Sequence, residues 1–522
     1  MNAGLVGALR NLAGEALSTD PAVLGAASTD LYAAGPEPIA VLRPSGAAQL
    51  AAAVALCAQH DCTVVPRGGG LSYTGGYACE PGRSLLVDLS GLDRILEISD
   101  EDMYVVVEAG VTWKQLHDAL RPLGLRTPYF GTFSGAGATV GGGLSHGALF
   151  FGSARYGSAA DSVLGVELVT ASGGLMRTGQ WALRRPSPPV FRNFGPDTTG
   201  LFMHDGGAFG IKTRASLRLI TAPAATGYGS WAFADFASAA RALSAIAREG
   251  LAEEAYVLDP GAMAVNLERE RSPGAAWAAV RQVVSSTRGT AGKARALAGL
   301  LAGARQLVPE NAFSLHMVAA GGSEAAVRHD LARARRLAGA QGAVALAANV
   351  PRLVRADPFP GLDAVVGPSG TRWAALNAKV AHSQATELIT AHRALMQEYA
   401  ARMQAHGVRV TYLCSALGNH SFSFEAVFHW ADAWHPIHEA RLSATARARV
   451  PRPAADPAAR MLVAELRERT CALFAEAGGA SNQIGRTYPF LDVLDAAPVA
   501  LLRTIKRHLD PQRRMNPGVL GL

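Results

Sequence analysis

A chain of 522 residues, 49% hydrophobic and 17% charged, is too long for one ordinary core and too apolar to be disordered, so two domains are expected. The net charge of +7 comes without a dense Lys/Arg run or an aromatic-interleaved basic patch, which argues against a nucleic-acid binder and fits a solubilising surface or an anionic ligand. No signal-peptide pattern and no run of about 18 apolar residues is present, and the five cysteines show no CxxC spacing, so a cytoplasmic protein with reduced thiols is the expectation.

The first stretch, residues 1–222 with a core at about 36–222, holds short β-rich runs at 63–66, 85–88, 104–108, 163–170 and 215–220. Glycine turns and a helix at 45–60 separate them. The second stretch, 223–455, alternates strand-like runs (228–233, 314–319, 408–413) with alanine-rich helices at 237–248, 324–337 and 384–406. An α+β layer, with helices on one face of an antiparallel sheet, is the economical arrangement. The third stretch, 456–522, carries a helix at 458–477, a glycine-rich turn and a last helix ending before Asp510-Pro511.

Chemistry is signalled first by Val64-Val65-Pro66-Arg67-Gly68-Gly69-Gly70-Leu71-Ser72-Tyr73-Thr74-Gly75-Gly76, where a hydrophobic strand runs into a glycine-rich loop. Bare backbone N–H groups can converge on a diphosphate there, and Ser72 or Thr74 can add a hydroxyl hydrogen bond. A structural turn needs fewer glycines, and the pattern is neither a Walker loop nor GxGxxG. A second cluster runs from Gly131-Thr132-Phe133-Ser134 through Gly137-Ala138-Thr139-Val140-Gly141-Gly142-Gly143 to Ser145-His146-Gly147. A third is Gly206-Gly207-Ala208-Phe209-Gly210-Ile211.

Together these segments resemble the FAD domain of the vanillyl-alcohol oxidase / p-cresol methylhydroxylase (PCMH-type) flavoprotein superfamily. The chain end, Asp510-Pro511 followed by Met515-Asn516-Pro517-Gly518, is similar to that family's terminal signature. The resemblance implies a PCMH-type FAD-binding domain made from both chain ends, an α+β cap over the flavin, and non-covalent FAD. It implies cofactor contacts at Pro66, Arg67, Gly68, Gly69, Gly70, Leu71, Ser72, Gly75, Thr132, Ser134, Gly137, Ala138, Thr139, Gly142, Ser145, Gly147, Gly210, Ile211 and Asn516.

The branch within the superfamily is less sharply marked. D-2-hydroxy-acid dehydrogenases carry a base histidine and paired metal histidines; here Asn482 and Ser481 stand at the base motif, and no metal is expected. The phenol-oxidising branch is favoured, with Arg486 resembling its phenolate-binding arginine although Gly485 replaces the usual tyrosine. The expected function is oxidation of an alcohol-type, C–H beside oxygen donor by hydride transfer to flavin. A D-lactate-type dehydrogenase and a catalytically silent flavin protein are the alternatives.

Arg486 is the first choice for binding a substrate anion, with His420 and Tyr488 as base or hydrogen-bond partners. His420 is placed on a strand face with Phe422, Phe424 and Phe428, with Glu425 on the opposite face. Arg372 and Lys379 read more naturally as solvated helix-end charges. The expected partners are a small-molecule substrate and an electron acceptor of open identity, with a homodimer among the possible assemblies.

Overall fold

The computed structural model describes residues 2–270, 309 and 311–522. Near the N-terminus, helix Ala47–Gln59 turns Leu50, Ala53, Val54 and Cys57 to one side, the spacing of an amphipathic helix. That stripe shares a core with Val64, Leu85 and Val87. Strands Thr63–Arg67 and Ser84–Asp88 run parallel, Val64 opposite Leu85. Val65 and Leu86 face a second cluster on the other side, so both faces of this four-stranded sheet are covered.

A five-stranded antiparallel sheet follows. Its centre is strand Ile211–Arg218, paired with Tyr104–Glu108 on one side and Val163–Val169 on the other. The sequence places this strand later, at 215–220, because Lys212 and Thr213 interrupt the apolar run. Both are nevertheless buried: Lys212 Nζ donates to Asp205 Oδ1 at 2.6 Å and Ser145 Oγ at 2.9 Å, and Thr213 Oγ1 donates to Glu167 O at 3.1 Å.

The expected antiparallel layer is a seven-stranded sheet. Towards one edge a hairpin joins Arg409–Leu417 to Ser421–Trp430, and the edge strand Arg372–Val380 pairs with the outer side of the hairpin's second strand, Asn377 opposite Glu425. The strand expected around Phe422, Phe424 and Phe428 is present, whereas the alanine-rich Arg372–Val380 is not marked as a strand by composition. Burial of Phe422, Phe424, Phe428 and Trp430 on one face holds the former. The helix expected at 384–406 is two helices, Ala385–Glu398 and Ala400–Ala405, with the break at Tyr399, whose hydroxyl donates to Glu465 Oε1 at 2.9 Å.

Helices Pro457–Glu476 and Ala496–Leu509 carry the chain back to the first sheet. There Val64 N donates to Arg514 O at 2.8 Å and Asn516 N to Val64 O at 2.9 Å, so the last residues lie against the strand that feeds the glycine loop. Among the described residues no helix is long and apolar enough to cross a membrane.

Candidate functional site

The glycine-rich segments meet along one cleft that encloses about 1880 Å³ of empty space, its open mouth included. One wall is the loop after strand Thr63–Arg67. At Gly69 any Cβ would fall on the carbonyl oxygen of Gly137, so the two glycine clusters touch backbone to backbone. Gly70 has φ +72°, and a Cβ there would meet the guanidinium of Arg67. Thr139 caps the short helix Val140–His146, accepting from Gly142 N at 3.2 Å, and Ser72 Oγ lies 3.2 Å from His146 Nε2. Burial, then the neighbouring His204, pulls the His146 imidazole down to about 4, so it stays neutral.

The donor set fits the anionic, flat-ended dinucleotide expected from sequence. The Arg67 side chain is buried, yet its Nε has no hydrogen-bond partner among the described residues. Arg441 Nη2 donates to Gly69 O, bringing a second guanidinium to the same loop. The cradle is cut back to bare backbone at Gly69 and charged around its edge, the combination an anion held by main-chain N–H groups requires.

Most of the expected cofactor residues line this cleft: Pro66, Arg67, Gly68, Gly69, Gly70, Leu71, Ser72, Thr132, Ser134, Ala138, Thr139, Gly142, Ser145, Gly210 and Ile211. Gly75, Gly137, Gly147 and Asn516 are not among its lining residues. Asn516 is buried with φ +41°, and its Nδ2 donates to Gly76 O at 2.8 Å and Gly206 O at 2.7 Å, clamping two of the glycine segments together.

The three residues expected to do chemistry are placed elsewhere. The Arg486 guanidinium donates to Gly75 O at 2.5 Å, Pro517 O at 2.6 Å and Asn516 Oδ1 at 3.1 Å, so it ties the glycine loop to the chain end and does not line the cleft. Tyr488 is buried behind the site, its hydroxyl accepting from Asn377 N at 2.7 Å. His420 sits at the exposed tip of the hairpin and not on the phenylalanine face of its second strand.

In their place the far end of the cleft is formed by the seven-stranded sheet and the 480–483 segment: Trp373, Asn377, Lys379, Ser423, Glu425, Asn482 and Gln483. Lys379 is no helix-end charge. It lies half-buried on strand Arg372–Val380, lining the cleft, with Nζ donating to Asn377 Oδ1 at 2.5 Å and to Asn482 Oδ1. Asn482 Nδ2 donates in turn to Gly147 O. Burial draws the Lys379 ammonium down to about 7 against the opposing pull of Glu425, and burial pushes the Glu425 carboxyl up to about 7 against Lys379. Arg372, also read as solvated, is fully buried and paired with Asp432 at 2.9 Å.

A neutral amine has two N–H bonds and one lone pair. Two amide oxygens accept from Lys379 Nζ, so its unprotonated form satisfies both acceptors and keeps the lone pair for a third group. Lys379, Glu425 and Asn482 come from three separate segments. All three draw notice in the sequence, Asn482 as the residue standing where a base is expected, Lys379 as a weaker candidate set aside as a solvated charge, and Glu425 only for its strand face.

Residues 38–179 match the FAD binding domain family model, and residues 492–520 match the C-terminal domain of FAD linked oxidases. Among curated proteins, the chain is 30% identical over 186 residues to glycolate oxidase subunit GlcD of Bacillus subtilis, covering 36% of this chain and 38% of that protein. It is 29% identical over 187 residues to the mitochondrial D-lactate dehydrogenase (cytochrome) of Kluyveromyces lactis, covering 35% and 31%. The match thus spans about a third of the length of these relatives. A crystal structure of p-cresol methylhydroxylase with substrate bound superposes with a TM-score of 0.74 at 16% identity, over 100% of this chain and 97% of that one, a likeness of fold. The fold is PCMH-type. The two matched regions add that its cofactor is FAD and that its parts are those of FAD-linked oxidases.

Proposed function

We propose that the protein oxidises an alcohol-type substrate at a C–H bond beside oxygen, with the Lys379–Glu425 pair handling the hydroxyl proton. The observation that carries this reading is the convergence of these two titratable groups at the end of the cleft opposite the glycine cradle. Arg67, the Gly68–Ser72 backbone, Thr139, Ser145 and Lys212 would hold the FAD. When bound, FAD supplies the hydride acceptor.

The chain's own residues then have three tasks. Lys379, fixed by Asn377 and Asn482, accepts the substrate hydroxyl proton on its lone pair. Glu425, opposite Asn377 on the neighbouring strand, receives or returns that proton and balances the charge on the amine. Trp373, Phe133, Phe150 and Leu362 give the cleft apolar walls that exclude water from the reacting C–H.

Those walls favour an aromatic or phenolic alcohol. A D-2-hydroxy acid is the second reading, favoured by the likeness to glycolate oxidase and D-lactate dehydrogenase and by a lysine able to pair with a carboxylate. Anaerobic bleaching of the flavin absorbance against phenolic alcohols and D-2-hydroxy acids tests both. Bleaching by one class alone selects it; an FAD-loaded protein inert to every donor contradicts both readings and supports a catalytically silent flavin protein.

A further inference from the structure

Between strand Leu175–Arg177 and the turn Gly200–Phe202 the chain makes an excursion that takes no part in lining the flavin cleft. Within it Leu183, Val190, Phe191, Phe194 and Leu201 are all exposed, Phe191 at 55% and Phe194 at 64%. Large apolar side chains exposed one at a time are ordinary, but five on one loop are not.

The loop holds them outward by its own bonding. Gln180 N donates to Phe191 O at 2.8 Å and Gln180 Nε2 to Ser187 Oγ at 2.9 Å, while Ser216 Oγ, from the five-stranded sheet, donates to Pro189 O at 2.9 Å. Arg192 Nη1 donates to Ala160 O at 2.7 Å, and its Nη2 pairs with Asp197 at 2.8 Å. The phenylalanines are therefore carried on a tethered backbone and not on a free tail.

Two further features fit a lipid surface. Pro186, Pro188, Pro189 and Pro196 have no N–H to leave unsatisfied, and Val190 N and Thr198 N donate to Pro188 O and Pro196 O at 3.0 and 2.8 Å. A backbone satisfied in this way loses little on leaving water. Charge is the second feature. Residues 181–201 hold three arginines and one aspartate; Asp197 is taken by Arg192, whereas Arg184 and Arg185 are exposed with no ion-pair partner among the described residues. Phenylalanines beside free guanidinium groups suit a layer with an apolar interior and anionic headgroups. A second copy of the chain fits less well, since a two-fold contact on this loop would bring Arg184 and Arg185 towards their own counterparts.

We propose that the 181–201 loop is a membrane-docking element that inserts Phe191 and Phe194 into the interface of an anionic bilayer and sets Arg184 and Arg185 on the headgroup phosphates. The contact is peripheral and reversible, because one apolar loop and two free charges are modest signals. It is independent of which alcohol the cleft oxidises.

Co-sedimentation of the full FAD-loaded chain with phosphatidylcholine vesicles, with and without phosphatidylglycerol, tests this. The chain should sediment with the anionic vesicles and stay in solution with pure phosphatidylcholine. Phe191→Ser/Phe194→Ser should weaken binding by at least about tenfold, and Arg184→Glu/Arg185→Glu by about as much. Raising the salt from about 0.1 M to about 1 M should weaken it severalfold. Val344→Ser, which removes an exposed apolar side chain from the edge of the seven-stranded sheet, should bind as the wild type does. Flavin loading should be unchanged in every loop variant, because the loop lies outside the cleft. Absence of binding to anionic vesicles would overturn the proposal. So would binding that ignores the two phenylalanines, which is mere adsorption of a chain of net charge +7. A dimer in sedimentation that Phe191→Ser/Phe194→Ser dissociates, without vesicle binding, would overturn it too and assign the loop to a second copy.

Discussion

The two ends of the cleft are built on different principles. The glycine end is shaped by backbone: segments 66–76, 137–147 and 206–211 approach so closely that side chains are excluded. The opposite end is shaped by side chains, with Lys379, Glu425 and Asn482 converging from a strand, its neighbour and a C-terminal loop. A site made of backbone tolerates almost no Cβ, whereas a site made of side chains depends on a few functional groups whose protonation burial has shifted.

The largest effect should come from placing a Cβ in the cradle. Gly69→Val would drive the loop from Gly137 and should abolish FAD loading, read as the ratio of flavin to protein absorbance, with circular dichroism showing whether the fold survives. Wild-type loading of that variant would break the distinction between the two ends. Next, Lys379→Met should retain FAD and reduce the rate of flavin reduction by roughly 10²–10⁴-fold, the range for removal of a general base. Glu425→Gln, which keeps shape and hydrogen bonding, should cost less, about 10-fold to 10²-fold by stopped flow.

Arg486→Ala sharpens the comparison from the other side. Losing the donor that serves three acceptors around the glycine loop should cost about 1–3 kcal/mol of stability and weaken FAD retention. The reduction rate of the FAD-loaded fraction should stay at the wild-type value. A selective loss of substrate affinity instead would return Arg486 to the role of substrate anchor. The smallest effect is expected for His420→Ala, with kcat within about twofold of wild type, as for an exposed position away from such features.

The contrast also explains what the sequence made legible. The cradle was readable because its requirement, the absence of side chains over consecutive positions, is written contiguously at Gly68-Gly69-Gly70 and Gly141-Gly142-Gly143. The helices at 47–59, 324–339 and 457–476 were readable from local periodicity. The strand holding Lys379 was not, because Trp373-Ala374-Ala375-Leu376-Asn377-Ala378-Lys379 has the composition of a helix and becomes a strand only through pairing with Ser421–Trp430. Arg486 drew attention as an isolated guanidinium near a family motif. Its partners are backbone oxygens of Gly75 and Pro517, which have no sequence signature. Lys379 and Glu425 are 46 positions apart, and nothing local announces that pairing of adjacent strands brings them to one cleft.

The pH dependence of anaerobic flavin reduction tests the central claim most directly. Burial lowers Lys379 to about 7 and raises Glu425 to about 7, so the pair as a whole sheds its protons across neutral pH and the state with a free, proton-accepting amine dominates above it. The reduction rate of the wild type should therefore rise through about pH 7 and level off, and Lys379→Met should show a low rate without that rise. An identical pH profile in the two proteins would contradict a proton-handling role for Lys379 and, with it, the assignment of the reacting end of the cleft.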